Sequence, residues 1–106
     1  MSEAIDRVDK QLQEHLRVLY RQVVDADQYL DDLREQGKAK FDSIFVEQTA
    51  FETKGNRFQP YLQEVTKNVE AWQLERDNEA LLKTIVEQLQ LLTETLARLK
   101  QIRQAG

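Results

Sequence analysis

Apolar residues along this chain recur at intervals of three and four, and that spacing organises almost all of it. Ile5, Val8, Leu12, Leu16, Leu19, Val23, Ala26, Leu30 and Leu33 trace one stripe, which predicts a helix of many turns from the region of Ser2 and Glu3 to Gln36. Gly37 follows as a left-handed terminator. Asp25 to Asp27 could break this helix, because Asp caps helices better than it fills them, yet the unbroken stripe favours one helix. Beyond Gly37, Phe41, Ile44 and Phe45 share a face and predict a short amphipathic helix over 38–48. Residues 49–59, with Gly55 and Asn56, lack a period and read as a loop carrying Phe51 and Phe58.

Pro60 suits a first helical turn, where its missing N–H costs nothing, and Phe58, Leu62, Val65, Val69 and Trp72 continue the stripe. A turn over Glu75 to Asn78, with Asp77 or Asn78 as cap, leads into Leu82, Ile85, Leu89, Leu92, Leu96 and Leu99 in near-heptad register. Fully burying a Leu or Ile is worth roughly 1.5–3 kcal/mol, so three such stripes cannot remain in water. The expected fold is all-α: an antiparallel bundle of three long helices plus one short helix, forming a single domain over 1–106.

Composition agrees and narrows the function. Three Gly and one Pro leave few reversals among 106 residues, and the absence of Cys removes disulfides, thiolate nucleophiles and cysteine-held zinc. No basic leader with an apolar core opens the chain and no apolar run is long enough to span a bilayer, so a cytoplasmic protein is expected. The net charge of −4 is concentrated at the start, where nine acidic residues and five basic ones precede Gly37. Strong nucleic-acid binders usually present a basic stripe, which this balance does not suggest.

Catalytic chemistry finds little support. His15, the single His, stands at the edge of the first stripe without a second ligand or a nucleophile, and reads as a packed helix residue. Asp25, Asp27, Asp31, Asp32 and Glu35 read as a solvated face, since a bundle metal site takes carboxylates from several helices with Glu-x-x-His pairs. Neither a Gly-rich phosphate loop nor a strained serine turn is present, so neither an enzyme nor a cofactor is expected. Arg98, Lys100 and Arg103 complement the negative end of the last helix, and they could also meet nucleic acid or an acidic peptide. Among the aromatics, those on stripes belong to the core. Phe51 and Phe58, in the loop, either pack back or serve as partner anchors.

The run Lys40-Phe41-Asp42-Ser43-Ile44-Phe45, the pair Gln48-Thr49, and the later Pro60-Tyr61-Leu62-Gln63-Glu64-Val65 with Asn68-Val69-Glu70 resemble the N-terminal half of the primosomal protein C family. The helix from Glu79 to Leu99, with Leu82, Ile85, Gln88, Leu92 and Leu96, is similar to the family's next helix. This resemblance implies a role in bacterial DNA replication restart, as an adaptor that recognises abandoned forks and helps place the replicative helicase. It further implies the single-stranded DNA-binding protein as a partner. DNA binding in the family goes with a basic C-terminal half that this sequence lacks, so weak single-stranded DNA binding is expected, from an isolated N-terminal domain or a short member. No catalytic residue follows from the resemblance. A generic helical interaction module or a secretion or flagellar chaperone would share the same periodicity.

Overall fold

A computed structural model describes residues 3–37, 51–53 and 57–105, and the expected short helix over 38–48 lies outside them. Within the described residues the chain is all-helical, with three helices: α1 (Glu3–Glu35), α2 (Gln59–Leu74) and α3 (Glu79–Ala105). At 1.5 Å per residue, the 33 residues of α1 reach about 50 Å, which accounts for the long dimension of a body measuring 53 × 22 × 17 Å. Asp25 to Asp27 does not interrupt α1. Its C-terminus closes at Gly37, whose φ of +72° places it in the left-handed region and whose N–H donates to the Arg34 carbonyl at 3.0 Å.

The stripes read from the sequence meet in one core. Leu12, Leu19, Val23, Ala26 and Leu30 of α1 pack with Tyr61, Leu62, Val65, Val69 and Trp72 of α2, and with Ile85, Leu89, Leu92, Leu96 and Leu99 of α3. Helix α2 runs one turn's fraction past Trp72, to Leu74, and α3 continues beyond Leu99 to Ala105, because neither a Gly nor a Pro stops them there. Between them Asn78 caps α3 by accepting the Leu81 N–H on its side-chain oxygen at 3.0 Å.

Two sequence expectations need correction. Phe51 and Phe58 are not presented to solvent: they are 7% and 0% exposed. The Phe51 ring meets Tyr61 edge-on at 5.1 Å, and Phe58 occupies the cap position of α2, where its side chain starts the buried stripe. They take the packed-back alternative because each lies beside an apolar face that water would otherwise cover. The acidic cluster of α1 is likewise not a uniform solvated face. Asp27 is buried, while Asp25 and Asp31 form ion pairs with other parts of the chain.

Candidate interaction surface

Polar joints hold the helices in register, and they define which surfaces remain open. Asp27 follows Val23 and Ala26 in stripe register and so faces inward, where its carboxylate accepts the backbone N–H groups of Phe58 (2.7 Å) and Gln59 (3.0 Å). Phe58 has no side-chain oxygen to cap α2, so Asp27 supplies the acceptor across the interface. Burial pushes the Asp27 carboxyl above its ordinary value, and the two backbone donors, with Arg57, counter only part of that rise.

At the other end, Asp9 accepts from Gln73 of α2 at 2.9 Å and from Arg76, which also reaches Asp6 at 2.6 Å. The Gln73 bond, aided by Gln13 and Arg76, holds Asp9 below the ordinary carboxylate range despite its burial. The α2–α3 joint centres on Gln88, only 1% exposed, which donates to Glu64 at 2.8 Å and accepts from Asn68 at 2.9 Å. Glu64 also receives the N–H groups of Glu52 (3.0 Å) and Thr53 (2.7 Å), fastening the strand of chain that carries Phe51 onto α2. Burial alone would raise Glu64, but the donors from Thr53, Glu52 and Gln88 outweigh it and the net direction is downward.

Helices α1 and α3 meet more loosely. His15 Nε2 and Thr93 Oγ1 stand 3.3 Å apart, and Arg103 pairs with Asp25 at 2.6 Å while its guanidinium lies 4.8 Å from the Tyr29 ring centre. A cleft of about 590 Å³ opens here, with Leu96, Ala97, Lys100 and Arg103 along its α3 wall and Gln22 and Ala26 opposite. Of the three cations singled out in the sequence, Lys100 and Arg103 therefore share the cleft, and Arg103 is already engaged by α1. Arg98 is exposed and stands two positions, about 200°, around the helix from Lys100, so the trio does not form one patch.

Sequence reasoning missed the inward roles of Asp9, Asp27 and Gln88. A signal existed: each occupies a stripe position beside apolar neighbours, as in Val23-Ala26-Asp27-Leu30 and Ile85-Gln88-Leu89-Leu92. A polar residue in that register must find partners on another element. Among the described residues no group of three or more His, Cys, Asp and Glu is arranged to hold a metal ion, and no helix is long and apolar enough to cross a membrane. No protein-family model matches the sequence, and neither a curated protein nor a solved structure matches it significantly.

Proposed function

We propose that this chain is a replication-restart adaptor of the primosomal protein C type, which helps load the replicative helicase through protein contacts in the bacterial cytoplasm. The observation that carries this reading is the Glu64–Gln88–Asn68 joint. Glu64 and Asn68 belong to the elements that carry the family resemblance, and here they do specific structural work between α2 and α3. Gln88, which they meet, stands on the helix that is similar to the family's next one, so the joint ties the two resembling segments together. An antiparallel bundle goes with the reading, supported by Asp9 meeting Arg76 and Asp27 meeting Phe58 at opposite ends of α1. In this role the chain performs no catalysis and needs no cofactor; the single-stranded DNA-binding protein is its second partner.

The test is a pull-down with the full chain immobilised, using purified replicative helicase and single-stranded DNA-binding protein as separate probes. Retention of the helicase is expected. Failure to retain either protein would refute the reading and favour a helical module without a replication role. Single-stranded DNA should bind weakly and only at low salt, because a net charge of −4 opposes the phosphate backbone.

A further inference from the structure

Helix α1 carries the chain's net negative charge in sequence, yet over residues 7–21 its outward ridge has a cationic excess, with the exposed Glu3, Asp32 and Glu35 lying towards the helix ends. Tertiary structure engages several of the carboxylates. Asp6 and Asp9 close on Arg76, Asp25 on Arg103, Asp31 on Arg57, and Asp27 on the backbone of Phe58 and Gln59. Of the cations of the same helix Arg34 lies 3.5 Å from Asp31, whereas Arg7, Lys10, Arg17 and Arg21 are exposed and make no ion pair among the described residues. At 100° per residue these four positions fall within about 80° of one another around the helix, interrupted only by Glu14.

Beside this ridge stands an apolar pair that the core does not cover. Tyr20 is 58% exposed and Val24 52%. Tyr20 and Val24 are four residues apart, as are Arg17 and Arg21, and Arg17 to Tyr20 and Arg21 to Val24 are three apart. On a helix these are all neighbours, so the four side chains form one continuous patch with an apolar half and a cationic half.

We propose that Arg17, Tyr20, Arg21 and Val24 form the docking site for an acidic amphipathic segment of a protein partner. Two carboxylates would lie on the guanidinium groups and an apolar side chain on Tyr20 and Val24. Tyr and Arg are the side chains that most often dominate protein interfaces, and a guanidinium fork matches a carboxylate with two parallel hydrogen bonds. Charge selects the occupant. A phosphate backbone tracking the ridge would run past Glu14, Asp25 and Asp32 and against a net charge of −4, whereas a segment short enough to fit between Glu14 and Asp25, the latter already paired with Arg103, meets chiefly Arg17 and Arg21. The proposal rests on the adaptor reading only in treating protein partners as the ligands.

Fluorescence anisotropy with the full chain and a labelled helical peptide bearing Glu and Leu at i, i+3, i+4 and i+7 tests the site. The peptide should bind, and its affinity should fall as salt rises. The double variant Arg17→Ala/Arg21→Ala should weaken binding about tenfold or more, and Tyr20→Ala several-fold, as truncated interface anchors do. Arg98→Ala should change it less than about twofold, since a lone exposed charge away from the site contributes little. All these positions are exposed, so the melting temperatures should stay near that of the parent. Absence of peptide binding, or equal binding by the double variant, would overturn the proposal. So would an oligothymidylate that binds through the same arginines more tightly than the peptide. Helicase retention by parent and double variant alike would leave the adaptor reading standing and remove this patch. Peptide binding lost in the double variant, with no helicase retained by the parent, would remove that reading and leave the patch.

Discussion

Asp27→Ala tests whether a carboxylate from α1 sets the start of α2. The substitution removes the acceptor for two backbone donors, Phe58 N–H at 2.7 Å and Gln59 N–H at 3.0 Å. Losing a helix cap costs about 0.5–2 kcal/mol, and leaving a buried N–H without a partner costs about 1–3 kcal/mol. Against this, the alanine relieves the burial of a carboxylate, which the raised Asp27 pKa shows to be unfavourable for the charged form. The expected net loss at neutral pH is about 2 kcal/mol, with about half of that for Asp27→Asn, which keeps one acceptor oxygen. Urea unfolding measures it, followed by helical circular dichroism and by the fluorescence of Trp72, the single tryptophan and a buried one. Asp32→Ala, at an exposed position of the same helix, should change stability by less than about 0.5 kcal/mol.

The pH dependence supplies a sign as well as a size. Because the folded pKa of Asp27 is raised, the native state takes up this proton before the unfolded chain does. The parent should therefore gain stability relative to Asp27→Asn as pH falls through the folded value, and keep the gain below the unfolded one. A loss under about 0.5 kcal/mol for Asp27→Ala, or a parent advantage that grows as pH rises, would refute the reasoning.

Other outcomes follow from the packing. Leu89→Ala should cost about 2–5 kcal/mol in urea unfolding, since Leu89 is buried in the middle of the α3 stripe, and a loss below about 1 kcal/mol would place that face elsewhere. Phe51→Ala should lower stability by about 2–4 kcal/mol, mostly through lost burial and the cavity left behind and in smaller part through the edge-on contact with Tyr61, and leave helicase retention by the refolded protein unchanged. Glu64 has a lowered pKa, so its contribution is present above the unfolded value and lost as pH falls through the folded one; Glu64→Gln should flatten the acid limb of a melting-temperature profile, and an unchanged limb would count against the joint.

Much of the architecture was legible in the sequence because helices are local objects. The three stripes, the left-handed glycine at Gly37, Pro60 in a first turn and Asn78 as a cap each depend on residues within a turn or two of one another. The core follows from the same periodicity, since Leu12, Val65 and Ile85 are buried by whichever stripes pack together. What the sequence could not settle was where polar side chains find their partners. Asp27 and Phe58 are 31 positions apart, Asp9 and Arg76 are 67, and Asp25 and Arg103 are 78. Only the tertiary packing brings them within hydrogen-bonding distance. The same packing decides the surface: by composition α1 is an acidic helix, but folding engages Asp6, Asp9, Asp25, Asp27 and Asp31 in contacts with α2, α3 and the segment before α2, while Arg7, Lys10, Arg17 and Arg21 stay outside. Net charge is a property of composition, whereas the field a partner meets depends on which charges have already been neutralised from within.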